Sequence, residues 1–134
     1  MQNKNKTTLA RNATHSVAGG EQKIIDASGM TLGRVASLVA VSLMGKDKAS
    51  FERHAYSGSS VKVINSSKIK ITTKKLEEIY HTRYSGYRGG LRILKGTETK
   101  EKKGLKELVK LAIYHMLPGN KLRREMMKHL TVED

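Results

Sequence analysis

The chain contains no cysteine and no tryptophan, one proline, one phenylalanine, and few acidic residues for its number of basic ones. Without cysteine there is no disulfide framework, no thiolate nucleophile and no cysteine-ligated zinc, a composition compatible with the cytosol. A single proline leaves nothing for polyproline recognition, and the missing tryptophan removes a common anchor of protein interfaces. No apolar run approaches the ~18 residues of a membrane helix. The most apolar-rich segment, Leu32 to Met44, is interrupted by Gly33, Arg34, Ser37 and Ser42. No membrane partner is expected.

Positive charge is what the chain has in excess. Twenty-six Lys and Arg against twelve Asp and Glu leave +14 on 134 residues, enough chain for one compact domain but hardly for two. Such an imbalance exceeds the needs of solubility and favours a polyanionic partner, with nucleic acid the default. The charge is unevenly spread. Residues 61–100 hold ten basic and three acidic residues, net +7, whereas residues 1–22 and 23–60 carry +2 each and 101–134 carry +3.

Within the most basic region, Arg83 to Arg92 reads Arg-Tyr-Ser-Gly-Tyr-Arg-Gly-Gly-Leu-Arg. Arg83, Arg88 and Arg92 supply planar forks for phosphate, and Tyr84 and Tyr87 supply stacking faces. Gly86, Gly89 and Gly90 let backbone approach a ligand closely. Taken alone, these ten residues fit a flexible basic hairpin tip as well as an RNA contact.

The surrounding pattern is that of an α/β domain. Residues 1–22 are expected to form an extended basic arm, with Lys4, Lys6 and Arg11 among polar residues and no hydrophobic period; a transit peptide fits less well. Residues 23–134 are expected to form one domain. Ile24 and Ile25 suggest a buried parallel strand, and Ser28-Gly29 a turn. Thr31 is placed to cap a helix with Leu32, Val35, Ala36, Val39, Ala40 and Leu43 on one face, stopped at Gly45. Lys46 to Ser60 reads as loop.

Val61 with Val63, then Ile69 with Ile71, suggest two short strands joined as a hairpin or by a crossover. Leu76 to Tyr84 is ambiguous between helix and strand, and Leu91 with Ile93 suggests another strand. Thr97 to Gly104 reads as a charged connector. A helix follows, with Leu105, Leu108, Val109, Ala112, Ile113, Met116 and Leu117 on one face, ended by Pro118-Gly119. Asn120 is placed to cap a last helix that packs through Leu122, Met126, Met127 and Leu130. Met116, Met126 and Met127 sit at helical spacing and read as gap-filling core in preference to an adaptable contact surface. No internal repeat is present.

Catalytic patterns fail one by one. Gly45-Lys46 is followed by Asp47, and the position five before Gly45 is Ala40, so there is no Walker phosphate loop. The glycines at 86, 89 and 90 do not match a dinucleotide fingerprint. Glu77 and His81 would share a helical face, but one pair is not a metal site. Glu77-Glu78 beside Lys74-Lys75 reads as a solvated face, and Ser57, Ser59 and Ser60 lack a base. No catalytic residue, metal, cofactor or small-molecule substrate is expected.

Five blocks of residues closely resemble the universal large-subunit ribosomal protein thirteen family in its bacterial form. They are Ile25-Asp26-Ala27 with Thr31 to Ser37; Gly45-Lys46 with Lys48; Val61 to Asn65 with Lys68-Ile69; Gly86-Tyr87 with Gly89-Gly90-Leu91; and Met116-Leu117-Pro118 with Asn120, Leu122 and Arg124. They stand in the family's order over about residues 23–132. The resemblance implies a three-layer α/β domain with a central, mostly parallel sheet of about four strands flanked by helices. It also implies a non-enzymatic structural part of the large subunit, bound to large-subunit ribosomal RNA beside neighbouring ribosomal proteins, active early in assembly. The expected location is the cytoplasmic ribosome in preference to an organellar one.

The chain departs from the family where Tyr84 replaces a usual histidine and Arg88 a usual proline. Gly58-Ser59 stands where Gly-Asp is usual, Gly119 stands where a basic residue is common, and the usual aromatic residue before Ile25 is missing.

The residues expected to touch RNA are Arg83, Tyr84, Gly86, Tyr87, Arg88, Gly89, Gly90, Arg92, Lys74, Lys75, Lys46, Lys48, Arg53, Lys121, Arg123 and Arg124. Arg34 is divided between contact and packing. Two other classes remain open: an RNA-binding regulator acting off the ribosome, and a nucleic-acid enzyme assembled from Asp26, Asp47, Glu52 and Glu77.

Overall fold

A computed structural model describes residues 15–17 and 20–134. The elements run β1 (His15–Val17), β2 (Gly20–Asp26), α1 (Leu32–Met44), β3 (Ser60–Ile64), a single 3₁₀ turn (Ser66–Lys68), α2 (Thr73–Glu78), β4 (Tyr80–Tyr84), β5 (Leu91–Lys95), α3 (Gly96–Met116), α4 (Leu122–Lys128) and β6 (Leu130–Val132). Most of the expected basic arm lies outside the described residues.

Mixed α/β structure built on a parallel sheet is what the sequence pattern calls for. β3 pairs in parallel with β2 on one side (Ile25 opposite Val63) and with β6 on the other (Val61 opposite Leu130). β1 adds a short antiparallel strand outside β2, in the order β1-β2-β3-β6. Alternation along β3 buries Val61 and Val63 and leaves Lys62 and Ile64 half-buried. Ile24 is likewise half-buried while Ile25 and Ala27 are buried, so the apolar pair at 24–25 does not mark a strand enclosed equally on both faces.

α1 forms where the spacing places it. Its apolar positions fall three and four residues apart, so Val35, Ala36, Val39, Ala40 and Leu43 are buried against the sheet and α3. Gly45 adopts the left-handed conformation (φ 76°), and its N–H and that of Lys46 donate to Ser42 O and Val41 O, closing the last turn. Thr31 occupies the N-cap position, but its side chain makes no capping hydrogen bond; its backbone instead bridges to Lys70. The core joins α1 to Val109, Ile113 and Leu117 of the α3 region, Met126 of α4 and Val132 of β6. Each fully buried large side chain, such as Leu43 or Ile113, contributes about 1.5–3 kcal/mol relative to exposure.

Several local expectations are corrected. The second strand of a Val61–Ile71 hairpin does not form: β3 is held between two parallel partners, and the chain leaves through Asn65 (φ 58°) into the 3₁₀ turn. Ile69 contributes to the core without belonging to a strand. Residues 97–103 are helical, part of α3 up to a break at Gly104 (φ 77°, ψ −180°), because Lys95 O accepts from Thr99 Oγ1 at 3.0 Å and α3 packs on α2. Met116 is 49% exposed, whereas Met126 is buried and Met127 packs on the core. Leu117 takes the buried place at the end of α3. The ambiguous segment Leu76–Tyr84 is both alternatives in succession, α2 then β4, so Glu77 and His81 never share a helical face.

The link after β2 depends on Asp26. Its carboxylate accepts from the Ser28 N–H at 2.9 Å and from Asn65 Nδ2 at 3.0 Å, and these hydrogen bonds hold its pKa below the ordinary 3.8. A depressed carboxylate stabilises the fold above its unfolded pKa, and that contribution is lost as pH falls through the lower folded value. Asp26→Asn is therefore expected to shift the thermal midpoint downward at neutral pH, with the gap to the parent narrowing as pH falls below the ordinary carboxylate value of about 3.9, as read by circular dichroism melts across that range.

Candidate nucleic-acid interface

β4 and β5 form a separate two-stranded antiparallel sheet. At its base the Gly96 N–H donates to Ile79 O at 2.8 Å, and contacts with α2 and α3 fix the hairpin to the domain. Beyond that base nearly every hairpin residue is exposed. Two-stranded ribbons gain little stability from a core of their own, so this one depends on its anchoring and on whatever covers it.

The sequence between Ile79 and Thr97 holds four cations, Arg83, Arg88, Arg92 and Lys95, and no carboxylate. Ladder register sets Arg83 directly opposite Arg92. Like charges across a strand pair are destabilising, and none of the three arginines has an ion-pair partner among the described residues. Arg83 and Arg92 line an open notch of about 320 Å³ with Ser85, Gly89 and Gly90. Gly86 (φ 88°) and Gly89 (φ 72°) take left-handed conformations that a side chain would strain, and the Gly90 N–H donates to Tyr87 O at 3.0 Å to close the tip. Tyr87 stands outermost, 79% exposed. Paired guanidinium forks over a glycine-lined notch suit a phosphate oxygen cluster.

On its inner side the hairpin meets α3. His81 stacks on His115 with ring centroids 5.4 Å apart and planes 7° from parallel. Burial, reinforced by repulsion from His115, pushes the His81 pKa below its ordinary 6.5. The unfolded chain then binds a proton more readily than the folded one, so stability falls as pH drops through about 6.5 toward the lower folded value. An imidazole NMR titration is expected to place His81 below 6.5, and His81→Phe is expected to flatten the fall in melting temperature between about pH 7 and pH 5.

The other sequence-selected cations fall into two further groups. Lys74 and Lys75 are exposed on α2, which leads directly into β4. Lys46, Lys48 and Arg53 follow the other end of α1, about 20 Å from its start. Lys46 and Arg53 are exposed there, and Lys48 is half-buried. Arg34 is exposed near the start of α1.

At the C-terminal side, Asn120 Oδ1 accepts from the Arg123 N–H at 3.1 Å, as a capping residue should. Lys121 and Arg124 are exposed. Arg123 is engaged within the chain. Its Nε donates to Pro118 O at 2.9 Å, its Nη2 donates to Leu117 O at 2.8 Å, and its guanidinium lies 4.6 Å from the Tyr114 ring centre. Reading by charge alone could not separate Arg123 from Arg124.

Asp26, Asp47, Glu52 and Glu77 do not gather into a catalytic cluster. Asp47 pairs with Lys23 at 3.0 Å, Glu52 pairs with His54, and Asp26 holds the turn after β2. Among the described residues no group of three metal-ligating side chains comes together.

The profile of the family described as Ribosomal protein L13 matches residues 21–132, which includes the parallel sheet, the hairpin and α4. The chain belongs to this family. It is 43% identical over 109 residues to the large ribosomal subunit protein uL13 of Roseobacter denitrificans, covering 81% of this chain and 71% of that one. It is 43% identical over 113 residues to uL13 of Caldanaerobacter subterraneus subsp. tengcongensis (81% and 76%), and 41% identical over 109 residues to uL13 of Thermotoga maritima (81% and 72%). Family membership of bacterial type makes this a structural ribosomal protein rather than an enzyme.

Proposed function

We propose that the chain is a constituent of the large ribosomal subunit that binds large-subunit ribosomal RNA, beside neighbouring ribosomal proteins, in the cytoplasmic ribosome. The reading rests chiefly on the β4–β5 hairpin, whose opposed Arg83 and Arg92 have no ion-pair partner among the described residues and border a glycine-lined notch. Tyr87 and Arg88 extend that contact at the tip, and Lys74 and Lys75 extend it along α2. Lys46, Lys48 and Arg53 form a second contact about one α1 length away, and Lys121 and Arg124 a third. Separate backbone grips on one rigid body fix its orientation on folded RNA without reading sequence. A part in early subunit assembly is what the resemblance to the family implies. In this reading Arg123 supports the third contact by holding the Pro118–Asn120 turn in place.

The basic stretch before β1 acts as an arm on the single domain, whose sheet already includes β1 and the start of β2. The three-layer form, with a mostly parallel sheet of about four strands, is the state the chain takes on the subunit. A photoreactive residue introduced at Tyr87 tests the proposal: crosslinks are expected on large-subunit ribosomal RNA. Crosslinks spread over messenger RNA would transfer support to a regulator acting off the ribosome.

A further inference from the structure

The two faces of the hairpin are chemically distinct. Side chains alternate across a strand, and opposite residues in the ladder share a face. His81 and Arg83 therefore lie with Leu94 and Arg92 on one face, which covers α3 at its base and carries the arginine notch toward its tip. Tyr80, Thr82 and Tyr84 lie on the other face with Lys95, Ile93 and Leu91. Among the described residues no element lies on this second face: Tyr80 is 67% exposed, Tyr84 64%, and Leu91 and Ile93 59% each. A contiguous surface of two phenol rings and two aliphatic side chains is unusual to leave in water.

We infer that the face formed by Tyr80, Tyr84, Leu91 and Ile93 is a stacking platform for unpaired nucleotides of RNA, separate from the phosphate grip on the opposite face. The inference rests on the RNA-binding reading above and adds to it the kind of RNA element that is held. Charge decides the occupant. The hairpin carries only cations, Lys95 lies on this same face, and the tip adds Arg88, so an apolar protein surface would bury uncompensated positive charge, whereas a nucleotide brings a π-face and a phosphate together.

Tyr80 and Tyr84 are four residues apart, about 14 Å along the strand. Neighbouring bases in a helical stack are only ~3.4 Å apart, so the two rings cannot hold adjacent bases of one stack. They suit a splayed strand with Ile93 and Thr82 filling the space between, and not a duplex, whose base faces are already covered.

Binding of the full-length protein to an unstructured oligouridylate and to an RNA duplex of equal length, across a salt series, tests this. Tyr80→Ala and Tyr84→Ala are each expected to weaken oligouridylate binding about tenfold, with duplex binding and the salt dependence unchanged; Tyr80→Phe should restore it. Both positions are exposed, and circular dichroism checks that the variants fold. Variants that bind the single strand like the parent, or lose both RNAs equally, overturn the platform while leaving the RNA-binding reading in place. Variants that bind RNA normally but fail to enter the subunit overturn it in favour of a protein neighbour. A parent that binds neither RNA at low salt removes the RNA-binding reading and the platform with it.

Discussion

Replacing Arg83, Arg88 and Arg92 together by alanine is expected to weaken binding to large-subunit ribosomal RNA by about two orders of magnitude near ~0.15 M salt. None of the three has an ion-pair partner in the described chain, and Arg83 faces Arg92 across the ladder. Their removal therefore leaves no unpaired carboxylate behind and relieves a repulsion within the hairpin. Folding should be unchanged or slightly improved while binding is lost, a separation that a packing role could not produce. The salt dependence identifies the mechanism. Each phosphate contact removed should lower the slope of log affinity against log salt by about 0.7–0.9, so the triple variant should lose roughly 2–3. Arg123→Ala is the contrasting case: it abandons Pro118 O, Leu117 O and the Tyr114 ring, and should cost stability more than it changes the salt slope.

Gly58→Ala should destabilise the fold by about 3 kcal/mol, a fall of about 10 °C in melting temperature, without touching any charged residue. The loop from Tyr56 to Ser59 lies against the end of α1: the Ser59 N–H donates to Ser42 O at 3.2 Å, and Tyr56 stacks on His129 at 5.0 Å. A Cβ on Gly58 would collide with the Leu43 carbonyl oxygen, and neither backbone can withdraw without breaking the Ser59–Ser42 bond or the cap of α1. Gly33→Ala is the control. A Cβ there meets nothing within 4 Å, and the position is helical, so the change should stabilise by up to about 1 kcal/mol. Thermal melts of the two variants must therefore move in opposite directions.

How much of this was legible in the sequence depended on whether a segment carried its own period. α1 and the second half of α3 repeat apolar residues at helical spacing over three turns, and both formed where expected. Short strands carry too few residues for a period to decide their partners. Val61 and Val63 identified β3, yet its parallel pairing with β2 and β6 is a property of the assembled core, and Leu130–Val132 was too short to announce itself as a strand.

The hairpin was legible at its tip, through Gly86, Gly89 and Gly90. Its first strand was hidden by α2 ending only two residues earlier, and Tyr80 was missed for that reason although the alternation Tyr80, Thr82, Tyr84 was present. Among the cations, charge and position could not show that Lys48 is half-buried or that Arg123 is held by backbone carbonyls.

The most direct test of the central claim is sedimentation of a lysate containing the tagged protein through sucrose gradients at moderate and high salt. Membership of the large subunit through several backbone grips predicts co-migration with that subunit, retained at high salt by the parent and lost there by the Arg83, Arg88 and Arg92 triple alanine variant. A parent protein that remains in the light fractions, or leaves the subunit completely as salt rises, would contradict it.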